Sequence, residues 1–192
     1  MRPALAMAAA GVIAVLYVVF AASSKPETAS GVSRFATGEM VRLTVMEAPP
    51  SMPTRTLQDA AGANVTLGDF RGEFLVVNLW ATWCPPCIEE MPTLGALQRR
   101  FGDRIRVIAI SADSEGDREK ARAQLGELTE NTLPFYIDIS RGVMFDVATP
   151  GMPITIVYDR SGNEIARLAG GADWDGPEAV AFLEAVLAGE VS

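Results

Sequence analysis

The chain has 192 residues, 49% hydrophobic and 21% charged, which supplies one ordinary core plus an appendage and leaves no case for wholesale disorder. Its net charge is −8, from 16 Lys and Arg against 24 Asp and Glu, so nucleic acid is a poor candidate partner. There is no histidine, which excludes His-based triads, His-ligated zinc and facial-triad iron; two cysteines are too few for a four-sulfur zinc cage.

Residues 1–23 read as a transmembrane anchor. Pro3 to Ala22 is apolar and no charge falls between Arg2 and Lys25; about 20 such residues cross a bilayer core of roughly 30 Å as a helix. Arg2 before the run favours a cytoplasmic amino terminus. A cleaved signal peptide is the competing reading: the run is long for one, but Ala21, Ala22 and Ser23 offer a weak cleavage site. Either way the rest of the chain is delivered outside the cytoplasm. Residues 24–50, rich in Ser, Thr, Pro and Gly, read as a flexible tether with a short strand near Met40 to Met46. Met40, Met46 and Met52 recur at equal spacing, a pattern open to a soft metal but more simply explained by packing along a domain edge.

From residue 51 the pattern becomes regular. A hairpin turns at Gly62–Asn64, and FLVVNLW (Phe74–Trp80) is a strand covered on both faces. The TWCPP loop then opens a helix whose Ile88, Met91, Leu94, Leu97 and Phe101 form one stripe, with Pro92 expected to kink it. IRVIAIS (Ile105–Ser111) is a second central strand. A helix from Glu115 to about Glu130, capped by Asp113 or Ser114, leads to a third strand, Leu133–Asp138, and a short helix near Gly142–Val147. PITIVYD and EIARLA flank the turn DRSGN as an antiparallel hairpin, and a helix over Pro177–Leu187, capped by Asp175, closes the chain. The order predicts a three-layer α/β fold: a mixed central β-sheet flanked by helices, with an N-terminal hairpin, over residues 51–192.

The chemistry concentrates in Cys84-Pro85-Pro86-Cys87. A thiol at a helix N-terminus has its anion stabilised by unpaired N–H groups and the helix dipole, and the anion is the nucleophile. A second thiol about one turn on can attack the resulting mixed disulfide. A static staple of this spacing adds little stability, and a metal-only site lacks a third ligand type. The prolines on a helix-opening loop point to exposure.

NLWATWCPPCIEEMP, with Gly151-Met152-Pro153-Ile154-Thr155 before a later strand, resembles the thioredoxin superfamily, and within it the membrane-anchored TlpA/ResA-type disulfide reductases that include the CcmG-like proteins. The resemblance covers about residues 48–188. It implies a thioredoxin-like fold, catalytic Cys84 and Cys87 forming a redox disulfide, and a cis proline at Pro153 facing them. Met152 would then present its backbone to an extended substrate, with Trp83, Pro85 and Pro86 completing the contact surface. Where thioredoxins carry a buried Asp, this chain has Asn78, which cannot accept a proton; Glu90 matches the acidic residue of the ResA-like branch and is the candidate proton carrier, if it is not simply a solvated surface glutamate. Trp80 and Trp174 read as packing residues. The longer span from Cys84 to Pro153 fits the branch's strand-and-helix insertion around Ser111–Leu133.

The resemblance further implies a thiol:disulfide reductase with no cofactor, its soluble domain in the periplasm on a single-pass inner-membrane helix. Expected partners are apocytochrome c or copper-site proteins of cytochrome oxidase as clients, and a membrane thiol donor of the DsbD/CcdA kind. Alternatives are a copper-binding metallochaperone for oxidase assembly, weakened by the missing His ligand, and a peroxiredoxin-type peroxidase, weakened by the W-C-x-x-C context.

Overall fold

The structure is a computed structural model that describes residues 31–191. The expected anchor, residues 1–23, and the first part of the tether lie outside the described residues. Among the described residues no helix is long and apolar enough to cross a membrane.

Among these residues eight strands form one mixed sheet: β1 (Leu43–Thr44), β2 (Leu57–Asp59), β3 (Asn64–Val65), β4 (Leu75–Trp80), β5 (Arg106–Ser111), β6 (Tyr136–Ile137), β7 (Ile154–Tyr158) and β8 (Glu164–Ala169). Their spatial order is β1-β8-β7-β4-β5-β6-β2-β3. β4, β5 and β6 are parallel neighbours, and the remaining pairs are antiparallel. The helices are α1 (Pro85–Phe101), α2 (Arg118–Leu128), α3 (Gly142–Asp146) and α4 (Pro177–Leu187). The parallel steps β4-α1-β5 and β5-α2-β6 each return through a helix, as parallel pairing requires.

The strands alternate their side chains between two cores. From β4, Val76 and Trp80 enter the core beneath α1 and α4, while Leu75, Val77 and Leu79 enter the core on the opposite face beside α3. The same alternation sends Val157 of β7 to the first core and Ile154 and Ile156 to the second. This parity matters for the site: Asn78 on β4 and Thr155 on β7 fall on the face toward α1, and the two are register partners across the β4–β7 ladder.

Several expectations change in detail. The tether is packed from Gly31 onward: two 3-10 turns carry Val32 and Met40 into the first core, and β1 pairs with β8. A few well-spaced apolar residues suffice to dock a segment that reads as polar on average. Met40 and Met52 lie buried in different cores, so these two methionines pack rather than share a site. The third strand shortens to two residues because Pro134 brings no N–H to a ladder. The second helix begins at Arg118 after a 3-10 turn and ends at Leu128, before Glu130 and Asn131 take left-handed backbone. The last helix has Gly176 as its N-cap, without a side-chain cap bond; Asp175 instead accepts from Arg100 Nε at 2.6 Å.

Candidate active site

Cys84 is the N-cap of α1 in extended conformation, and its carbonyl oxygen accepts from the amides of Cys87 and Ile88 at 3.1 and 3.2 Å. Pro85 and Pro86 occupy the first helical positions, where missing N–H groups cost nothing. The loop before the helix is pinned from behind: the Thr82 amide and hydroxyl both donate to the buried Asp113 carboxylate, which also accepts from Ser111 Oγ at 2.8 Å. Cys84 and Cys87 are joined by a disulfide with Cα atoms 5.3 Å apart.

The pair is less open than a helix-opening loop suggests. Cys84 is 5% exposed and Cys87 fully buried, because both sulfurs rest on the first core beneath the helix. The exposed residues are those around them: Trp83 at 58%, together with Pro85 and Pro86. The Met152–Pro153 peptide is cis. Trp83 and Met152 share a groove of about 340 Å³ that runs on over Met144, Phe145, Thr149, Pro150 and Arg141. Phe145, on α3, is 81% exposed. This part of the groove lies outside the motifs; its sign in the chain is an aromatic at a helix position that leaves it outside the core.

Glu90 is not a solvated surface residue. It follows Cys87 by three positions, on the same face of α1, and is 3% exposed. Asn78 Nδ2 donates to Glu90 Oε1 at 2.7 Å and to Thr155 Oγ1 at 2.9 Å. The Ala172 amide donates to Glu90 Oε2 at 3.2 Å. Burial pushes the Glu90 carboxyl up to about 7; the bonds from Asn78 and Ala172, the nearby Trp174 side chain and the charge of Arg42 oppose the shift without cancelling it. A carboxyl that titrates near neutrality can both take and return a proton. Asn78, which donates to it, and Thr155, which accepts from Asn78, come from two strands that no single motif connects. The buried Asn78 Oδ1, Trp80 Nε1 and Trp174 Nε1 have no partner among the described residues. Rotating the Asn78 amide would turn Oδ1 toward a protonated Glu90, so one side chain can serve both protonation states. Among the described residues no group of three or more His, Cys, Asp or Glu side chains is placed to hold a metal ion.

Comparison with known proteins agrees with this arrangement. The Redoxin family model matches residues 47–187. The thioredoxin-like protein YneN of Bacillus subtilis is 32% identical over 110 residues, 57% of this chain and 64% of YneN, so the match spans less than two thirds of that relative. The thiol-disulfide oxidoreductase ResA of Bacillus thuringiensis is 27% identical over 126 residues, covering 65% of this chain and 71% of ResA. Among solved structures, a candidate thiol:disulfide interchange protein DsbE from Chlorobium tepidum superposes with a TM-score of 0.64 at 22% identity, over 74% of this chain and 99% of that one; at that identity the likeness shows the fold. With its Cys84–Cys87 disulfide opening α1 and its cis Met152–Pro153 peptide, the chain belongs to the Redoxin family, in the TlpA/ResA-type branch of the thioredoxin superfamily.

Proposed function

We propose that this protein is an extracytoplasmic, membrane-tethered thiol-disulfide oxidoreductase that reduces disulfides in client proteins. The observation that carries the reading is the Cys84–Cys87 pair at the N-terminus of α1, flanked by exposed Trp83 and backed by buried Glu90. In the reduced enzyme the Cys84 thiolate attacks one sulfur of a client disulfide. A mixed disulfide forms and the other client sulfur leaves as a thiolate. Glu90 takes the proton of Cys87, whose thiolate then attacks Cys84 Sγ and expels the second client thiolate. Two electrons have passed to the client, and the enzyme is left with its own disulfide.

The contact surface is Trp83, Pro85, Pro86, Met152 and Pro153. The Met152 N–H and C=O make no hydrogen bond among the described residues, which leaves both for an extended client strand. Clients of the proposed kind are apocytochrome c or copper-site proteins of cytochrome oxidase. Electrons would come from a membrane thiol donor of the DsbD/CcdA kind, and the inner-membrane location rests on the apolar run of residues 3–22.

Two variants test the reading. Cys84→Ala abolishes reduction of a client disulfide, whereas Cys87→Ala accumulates a mixed disulfide on Cys84 that gel electrophoresis without reductant resolves. Full reductase activity in the Cys84 variant overturns the mechanism. The midpoint potential sets the direction: a value well below about −200 mV marks a reductant, and one near −120 mV an oxidant.

A further inference from the structure

Glu90 reaches beyond the disulfide. Its carboxyl lies at one wall of an open cleft of about 400 Å³, lined also by Glu39, Arg42, Pro86, Thr93 and Gly171. This cleft and the groove of Trp83 and Met152 have no lining residue in common. The N-terminal segment builds the far wall: Met40 anchors it in the core, Leu43 and Thr44 pair with β8, and Arg42 Nη2 donates to the Gly171 carbonyl at 2.5 Å. The next amide, that of Ala172, donates to Glu90. Arg42 is thus tied to the backbone that holds the carboxyl, and of the proposed client-contact residues only Pro86 also lines the cleft.

We propose that this cleft is the solvent port through which Glu90 exchanges its proton, and that Arg42 is the positioning residue that sets the charge at its mouth. The inference rests on the reading of Glu90 as the proton carrier. It follows from a requirement of the cycle: while a client covers Cys84, the proton taken from Cys87 needs a path to water that the client leaves open. The cleft supplies one, since it meets the contact surface only at its rim, Pro86. The charged groups around Glu90 are Glu39 and Arg42 from the N-terminal segment, Glu89 on its own helix, and Asp173 after β8; β4 and β7 contribute only neutral Asn78 and Thr155. Arg42 is the one cation among the cleft's lining residues, facing acidic neighbours that pull the other way. An exposed guanidinium acts weakly at high salt and more strongly at low salt.

The test titrates Glu90 directly in the oxidised full-length chain, in detergent, by infrared difference spectroscopy of its protonated carboxyl stretch, with Glu90→Gln identifying the band. This readout needs no client and no turnover, so it fails independently of the proposed reductase activity. At low salt, Arg42→Gln is expected to move the Glu90 midpoint up by about half a pH unit, Arg42→Lys to restore it, and added salt to shrink the difference. If Arg42 were only a strap, its loss would open the cleft, hydrate the carboxyl and move the midpoint down. Gly171→Ala gives an independent reading: its new Cβ would stand 3.2 Å from the Pro86 carbonyl and 3.9 Å from Glu90 Oε2, narrowing the port and raising the midpoint. A midpoint that is unchanged or lowered in Arg42→Gln, or unmoved in a folded Gly171→Ala, overturns the proposal.

Discussion

Asn78 Nδ2 lies 2.7 Å from Glu90 Oε1, joining the central strand to the helix that carries the cysteines. Thioredoxins place an ionisable Asp where this chain has Asn78. Here the ionisable group has moved to the helix, and the strand position holds it in place. The exchange keeps a buried carboxyl on the helix that carries the thiols, with a neutral partner able to satisfy it in either protonation state.

The burial of Glu90 makes stability depend on pH with a definite sign. At low pH the carboxyl is protonated in both the folded and unfolded chain. Above about 4.5 the unfolded chain ionises while the folded one stays protonated until about 7, so stability falls through that window and levels off above it. The loss is at most about 3 kcal/mol. Urea unfolding of the oxidised protein from pH 4 to 8 should show the decline, and Glu90→Gln should flatten it.

Changing Asn78 should separate its two duties. Asn78→Ala leaves Glu90 Oε1 and Thr155 Oγ1 without their donor and should destabilise by about 1–3 kcal/mol. Asn78→Asp sets a second carboxyl against Glu90; like charges in a buried site cannot both ionise cheaply, so the pair should titrate in two widely separated steps. The pH profile of thiol alkylation in the reduced protein would show the added step.

Trp83 and Phe145 expose large aromatic surface beside the disulfide. Because neither is buried, Trp83→Ala and Phe145→Ala should change stability by less than about 0.5 kcal/mol. Steady-state kinetics with a disulfide client should show KM raised several-fold and kcat nearly unchanged, the signature of lost binding.

Arg167 and Glu164 form a nearly buried ion pair, with side chains 9% and 1% exposed and Nε–Oε1 at 2.5 Å. Arg167 Nη1 also donates to the Val147 carbonyl at 2.7 Å, tying β8 to the end of α3. Arg167→Met should cost about 3–5 kcal/mol, since it strands a buried carboxylate. Chemical denaturation measures this directly.

The docked N-terminal segment has its own test. Met40 is wholly buried, so Met40→Ala should destabilise by about 2–4 kcal/mol, whereas the same change in a free tether would stay within about 0.5 kcal/mol. A thermal melt of the full-length chain distinguishes the two.

Local patterns carried the architecture a long way. The continuous apolar runs of β4 and β5, the stripe of α1 and the turn residues of the two hairpins announce themselves because period and turn chemistry are properties of a few adjacent residues. Residues 31–44 did not, since Val32, Met40 and Leu43 look sparse in a polar stretch and acquire meaning only when β8 and α4 receive them. Gly176 rather than Asp175 caps α4, because the Asp175 carboxylate is taken by a distant competitor, Arg100.

The sequence by itself determined the reactive element: two thiols at the mouth of a helix, after a strand buried on both faces, are adjacent along the chain and need no fold to be recognised. Only the tertiary structure decided that Glu90 is buried, that Asn78 and the Ala172 amide donate to it, and that Arg42 stands over its cleft. Those contacts join residues far apart in the chain, and desolvation, which sets the proton affinity of a carboxyl, exists only once strands, helix and N-terminal segment have closed around it.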